Sequence, residues 1–167
     1  PNEPLKLYGP GTDSGTFDYF TDEINGEEGA SRTDFSPSED DNQIVQGVSS
    51  SKGGMGYFGF TYYEENADKL NLVQVNSGNG CVTPSAASVQ DGTYTPLGRG
   101  LFIYPSAKSL GSNTAFQSFL QYYVNNDAEI AEAAQFIPLS PTQQTTLQNE
   151  YAAVLKMANV SASPAAS

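Results

Sequence analysis

Short apolar runs alternate with amphipathic stretches through the first hundred residues. The runs predict strands at residues 5–8, 55–60, 70–75 and 101–104. The run at 55–60 carries two glycines and has the composition of a strand buried on both faces. Phe17, Phe20 and Ile24 fall at helical spacing, and Gly26 supplies a stop signal for that helix. Shorter helices are predicted around residues 43–48 and 86–89.

A more helical pattern follows residue 105. Five apolar residues at positions i, i+3, i+4, i+7 and i+8 predict an amphipathic helix: Phe116, Phe119, Leu120, Tyr123 and Val124. Ser140 and Gln143 form a capping-box pattern with Pro141 at the first helical position. The apolar stripe of that last helix is Leu147, Tyr151, Val154 and Leu155. Strands alternating with helices indicate an α/β fold with a mainly parallel sheet, and the change of texture near residues 98–100 predicts a boundary.

Composition narrows the classes of function. The chain has 167 residues, a length typical of one domain, and its net charge is −12, with seven Lys and Arg against 19 Asp and Glu. Such acidity argues against binding nucleic acid or an anionic membrane. The absence of histidine removes the usual general base and the commonest zinc ligand, so we expect no catalytic residues, no metal and no cofactor. We interpret the single cysteine, Cys81, as a buried small hydrophobe, with a bridge to a segment outside this sequence as the alternative.

The glycine-rich loop GPGTDSGT, residues 9–16, lies between the first predicted strand and the first predicted helix. Backbone N–H groups at a helix start point towards the positive end of its dipole, where an oxyanion is a suitable acceptor. Gly15 allows close approach of a ligand, and the hydroxyls of Ser14 and Thr16 add donors. The sequence matches neither the P-loop pattern nor GxGxxG. The loop is therefore a candidate anion site.

Thr12 and Asp13 are secondary candidates in the same loop. A purely structural role for the glycine-rich loop stays open, since Asp13 or Ser14 could simply cap the helix. Arg32 lies in the loop after that helix, and a guanidinium can grip two oxyanion oxygens as a fork. The alternative for Arg32 is a surface ion pair with Asp34 or Glu28.

Five segments together resemble the phosphate-binding proteins of bacterial phosphate ABC transporters. They are LYGPGTDSGTFDYF, GEEGASRTDFSPSEDDNQIVQGV, GMGYFGFTYYEEN, GCVTPS and DGTYTPLGRGLFIY. The resemblance implies one lobe of a type II periplasmic binding protein, in which two α/β lobes close on an oxyanion. It assigns residues 1–98 to the second, anion-binding lobe and 99–160 to a return segment with a hinge strand and C-terminal helices. The low-complexity composition of residues 161–167 predicts a disordered tail.

The family's Ser-Gly-Thr anion loop maps onto Ser14, Gly15 and Thr16. Better-known members have an arginine four residues before that serine, where this chain has Pro10, so Arg32 is the candidate guanidinium. The resemblance implies inorganic phosphate as ligand, an ABC transporter permease as partner, and an N-terminal lobe missing from this sequence. It implies an extracytoplasmic location, periplasmic or at the cell surface, with a lipid anchor as an option for the full-length protein. Alternatives are a surface sensor or adhesion module on the same fold, or a metal-dependent phosphatase.

Overall fold

The computed structural model describes residues 2–160. The chain divides into two compact units, with the division between Arg99 and Gly100. The first unit is α/β and the second is helical. Across residues 2–160, no helix combines the length and the apolar character that crossing a bilayer requires.

Between residues 2 and 99, the first unit has five strands, four α-helices and one π-helical turn. The strands are β1 (Lys6–Gly9), β2 (Ser36–Pro37), β3 (Gly54–Gly56), β4 (Val75–Asn76) and β5 (Cys81–Val82). The helices are α1 (Gly15–Phe20), which continues directly as a π-helical turn (Thr21–Asn25), α2 (Asp41–Ser50), α3 (Phe60–Glu64) and α4 (Ala86–Gln90). Gly26 ends the first helical segment in the left-handed region, at φ 79°, which confirms the predicted stop.

The main sheet is parallel and has the order β2–β1–β3. β1 therefore lies in the centre, and the loop that leaves its carboxyl end emerges at the middle of the sheet edge. This arrangement confirms the predicted α/β fold with a parallel sheet flanked by helices. A separate antiparallel hairpin joins β4 to β5.

Apolar side chains from α1, α2 and the segment after α3 fill the core of the first unit. Phe17, Ile44, Val45 and Leu70 are buried there. Asp40 is the N-cap of α2, and its carboxylate accepts a hydrogen bond from Asn42 N. The core thus holds α1 and α2 beside the sheet. The loop after β1 leads directly into the first residues of α1.

Within residues 100–160, the second unit has the helices α5 (Ala107–Ser112), α6 (Thr114–Asn125), α7 (Asp127–Ala133) and α8 (Pro141–Met157). Its core is formed by Leu110, Leu120, Val124 and Leu155. The capping box of Ser140 and Gln143 is present, and the predicted stripe of α8 packs on this core. Both expectations for α8 are confirmed.

Several expectations for strands are wrong. Residues 101–104 form no strand and their side chains are exposed, from 46% at Ile103 to 89% at Tyr104. The apolar run at 55–60 contributes only Met55 and Gly56 to the sheet, and Met55 is 47% exposed rather than buried on both faces. The run at 70–75 is irregular apart from its last residue.

Cys81 and two short helices also correct the sequence analysis. Cys81 is exposed and its thiol is free, because it lies in a small hairpin outside the core. α5 and α7 were not predicted, since each spans at most seven residues and shows too few apolar positions to form a periodic pattern. The predicted disordered tail, 161–167, lies outside the described residues.

Candidate functional site

The glycine-rich loop forms the connection from β1 to α1, and Ser14 is the N-cap of α1. Its Oγ accepts a hydrogen bond from Thr16 N at 3.2 Å, and its carbonyl accepts from Asp18 N at 3.1 Å. Ser14 N donates to the carbonyl of Gly11 at 3.1 Å, which closes a turn inside the loop. The capping interpretation is thus correct for Ser14, and it does not exclude a ligand because the hydroxyl proton remains available.

Two backbone donors at the start of α1 remain open. Within the described residues, the N–H groups of Gly15 and Phe17 donate to no protein acceptor. Gly15 itself is exposed, and Thr16 is partly exposed. Unpaired N–H groups at the positive end of a helix are the donors that an oxyanion can satisfy. Thr12 and Asp13 are exposed in the turn before them.

A guanidinium lies beside this helix start, and it belongs to Arg99. A Cβ built on Gly15 would lie 3.8 Å from Arg99 Nη2. The guanidinium carbon sits 5.1 Å from the centre of the Tyr19 ring, a cation–π distance. The Tyr19 hydroxyl donates to the carbonyl of Pro96 at 2.6 Å. Burial, and then the charge of Glu23, raise the pKa of Tyr19, so the phenol is protonated at neutral pH.

Arg99 and α1 line a small open cleft of about 270 Å³. Its other lining residues include three carboxylates, Asp18, Asp22 and Glu28. The cleft therefore combines one permanent cation with several acidic groups. An anion held here depends on donors in direct contact, because the surrounding charge is unfavourable.

Arg32 forms a forked ion pair with Asp34. Its Nε and Nη2 donate to the two carboxylate oxygens at 2.8 and 2.6 Å, and both side chains are about two-thirds exposed. This pairing lowers the pKa of Asp34. The arrangement matches the surface ion pair that the sequence left open, and a role for Arg32 as a ligand stays a prediction.

Sequence reasoning missed Arg99 and Tyr19. Tyr19 lies four residues after Gly15, one turn along α1, but nothing in the sequence distinguishes it from the aromatic residues around it. Arg99 is far from the loop in sequence. It lies beside Gly15 because the chain near Pro96 packs against α1. The scarcity of cations, seven in the chain, was the one signal that could have drawn attention to it.

The second unit has a cleft of its own, about 490 Å³, between the α6–α7 junction and α8. Asn125, Asp127, Gln144 and Gln148 are among its lining residues. The side chain of Gln148 donates to the carbonyl of Val124 at 3.2 Å. This cleft contains carboxylates and amides but no Lys or Arg, so its charge does not favour an anion.

Comparison with known proteins adds independent information. A PBP superfamily domain matches residues 1–127. Protein SphX of Synechococcus elongatus is 45% identical over 152 residues, and the phosphate-binding protein PstS of Staphylococcus saprophyticus is 36% identical over 151 residues. These matches cover 90% of this chain in both cases, but 44% and 46% of the relatives, so the chain spans about half of their length.

A solved structure is similar as well. The crystal structure of a possible phosphate-binding protein from Planctomyces limnophilus superposes with a TM-score of 0.77 at 37% sequence identity. The superposition covers 93% of this chain and 55% of that one. The likeness therefore includes most of the described residues, and it too extends over about half of the other protein.

Proposed function

Because the chain belongs to the PBP superfamily, we propose that it binds inorganic phosphate and delivers it to an ABC transporter. The observation that carries the proposal is the start of α1, where the N–H groups of Gly15 and Phe17 are open beside a free hydroxyl proton on Ser14. The phosphate-binding protein of Staphylococcus saprophyticus and the possible phosphate-binding protein of Planctomyces limnophilus, both similar to this chain, support phosphate as the oxyanion. Binding requires no covalent chemistry.

The proposed site replaces the water shell of a phosphate dianion with protein donors. Gly15 and Phe17 supply backbone N–H groups, and Ser14 and Thr16 supply hydroxyls. Arg32, the guanidinium expected from the sequence, is a proposed ligand only if its fork leaves Asp34. The net charge of −12 is no obstacle, because charges more than about 8 Å away are largely screened at physiological salt.

The proposal places this chain in a longer protein with two lobes. Residues 1–98 would form the anion-binding lobe, and an N-terminal lobe absent from this sequence would close over the ligand. The exposed apolar side chains at 101–104 support a partner segment, since four adjacent large hydrophobic residues seldom face water in a finished fold. The protein would act outside the cytoplasmic membrane and dock on a transporter permease.

Calorimetry on the full-length protein tests the proposal. Phosphate should bind with a Kd in the micromolar range or tighter, and Thr16→Val should weaken it about tenfold or more, because the variant keeps the shape but removes the hydroxyl. Thr145→Val is a matched control, since the hydroxyl of that exposed threonine on α8 donates to the Pro141 carbonyl within its own helix. Absence of phosphate binding by the wild-type protein contradicts the proposal. Equal affinities for Thr16→Val and the control would remove Thr16 from the site.

A further inference from the structure

We propose that Arg99 supplies the guanidinium that contacts the bound oxyanion, and that Tyr19 positions it. This inference rests on the proposed function, and it assigns a ligand that neither the glycine-rich loop nor Arg32 provides. The starting point is that Nη2 of Arg99 lies 3.8 Å from the position of a Cβ on Gly15. A group at that distance can share a ligand with the first N–H of α1.

Arg99 remains free to bind a ligand. Among residues 2–160, the ion pairs within 4.0 Å are Arg32 with Asp34 and Lys52 with Glu3. Arg99 forms none, although three carboxylates line the same cleft. Its guanidinium lies instead over the Tyr19 ring, a contact that leaves the N–H donors at its edge open. Arg32, in contrast, already uses two donors on Asp34.

Tyr19 holds the segment of Arg99 at two points. Its hydroxyl donates to the Pro96 carbonyl at 2.6 Å, and its ring supports the guanidinium three residues later. Tyr19 is also one turn along α1 from Gly15, so the two lie on the same helix face. The helix that offers the open N–H groups therefore also carries the residue that positions the cation.

The charges around the cleft make such a cation necessary. Asp18, Asp22 and Glu28 line it together with Arg99, and Glu23 acts on Tyr19 from the same helical segment. A phosphate dianion entering this surrounding is repelled unless a cation is in contact with it. Arg99 is the cation that lines the cleft. Its removal is therefore expected to cost more affinity than the loss of one surface charge.

The test is a set of phosphate titrations by calorimetry on the full-length protein. Arg99→Gln should weaken phosphate binding about thirtyfold or more, and Arg99→Lys should recover part of the loss, because a lysine keeps the charge but not the fork. Lys52→Gln is the matched control, since it removes the same charge from an exposed ion pair with Glu3 and should change the affinity less than twofold.

The role of Tyr19 has a separate readout. Tyr19→Leu should weaken binding about tenfold in the wild-type background and have almost no effect in the Arg99→Gln background, because a residue that only positions Arg99 matters only while Arg99 is present. Tyr19→Phe keeps the ring and removes the hydrogen bond to the Pro96 carbonyl, so its phosphate affinity should lie between those of the wild type and Tyr19→Leu. This milder variant keeps the test informative if the leucine variant unfolds.

The outcomes separate the two proposals. If the wild-type protein binds no phosphate, the proposed function and this inference both fail. If it binds phosphate and Arg99→Gln behaves like Lys52→Gln, the function stands and the inference is overturned. Loss of binding in Arg32→Gln but not in Arg99→Gln would likewise return the guanidinium role to Arg32. Equal losses from Tyr19→Leu in both backgrounds would contradict the positioning role.

Discussion

Replacing Ser14 separates its two roles, the cap of α1 and the proposed ligand. The cap is a single hydrogen bond from Thr16 N at 3.2 Å, towards the long end of the usual range. Ser14→Ala should therefore cost about 1 kcal/mol of unfolding free energy. Ser14→Gly should cost only a few tenths of a kcal/mol, because glycine is itself a tolerated N-cap.

Phosphate affinity should follow a different order. A hydroxyl that donates to a charged ligand contributes about 1.5–3 kcal/mol, so both Ser14→Ala and Ser14→Gly should weaken binding roughly tenfold to hundredfold. Ser14→Thr should keep both the cap and the donor. The assays are thermal unfolding for stability and calorimetry for phosphate affinity, each on the full-length protein.

Ser140→Ala provides the matched control for this pair of measurements. Ser140 caps α8 through a hydrogen bond from Gln143 N at 3.4 Å, so its loss should lower stability and leave phosphate affinity unchanged. The reasoning is refuted if Ser14→Gly binds phosphate within about twofold of wild type. Ser14 would then be a helix cap and nothing more.

Three further predictions concern the fold. Gly54→Ala should destabilise the protein by about 1–3 kcal/mol in urea unfolding, since its Cβ would lie 2.7 Å from a backbone carbonyl oxygen of α2. Gly59→Ala has its nearest neighbour at 3.4 Å on a tyrosine ring and should cost less, about 0.5 kcal/mol for the poorer N-cap of α3, and equal losses would contradict the argument. Leu110→Ala should cost about 2–5 kcal/mol, because this side chain is fully buried in the helical core; a loss below 1 kcal/mol would count against that core. Burial raises the pKa of Asp41, so the folded state binds its proton more tightly than the unfolded state, and Asp41→Asn should stabilise the protein at pH 7. That gain should shrink as the pH falls through the raised pKa, and a gain that is constant with pH would contradict this assignment.

Local signals predicted the parts of the fold that local interactions determine. The helix end at Gly26 requires a left-handed backbone, which glycine adopts readily. The capping box of Ser140 and Gln143 bonds the first N–H groups of α8. Each feature can therefore be predicted from a few adjacent residues. The apolar positions at helical spacing in α6 and α8 likewise predicted residues that form the core of the second unit. These features depend little on which distant segments meet.

The errors occur where tertiary context decides. The run at 101–104 has the composition of a strand, but a strand needs a neighbour, and none pairs with it within the described residues. Cys81 has a residue type that is often buried, yet it lies at the end of a two-residue strand in an exposed hairpin. Apolar composition alone cannot tell a paired strand from an unpaired one.

The loop of the candidate site could be predicted from the sequence, whereas the arginine that lies beside it in the structure could not. Ser14, Gly15 and Thr16 are contiguous, so the strand–loop–helix pattern places them together. Arg32 is near in sequence, but two carboxylate oxygens of Asp34 occupy its fork. Arg99 comes to Gly15 through the chain around Pro96, a long-range contact that no short motif encodes.

The central claim is that open amides at the start of α1 hold a tetrahedral oxyanion. The most direct measurement is a phosphate titration of the isotope-labelled full-length protein, followed through its backbone amide NMR signals. The account predicts the largest saturable shifts at the open amides of Gly15 and Phe17, with smaller changes in the cleft at 125–148 of the second unit. Saturable shifts that leave these two amides unchanged would contradict it.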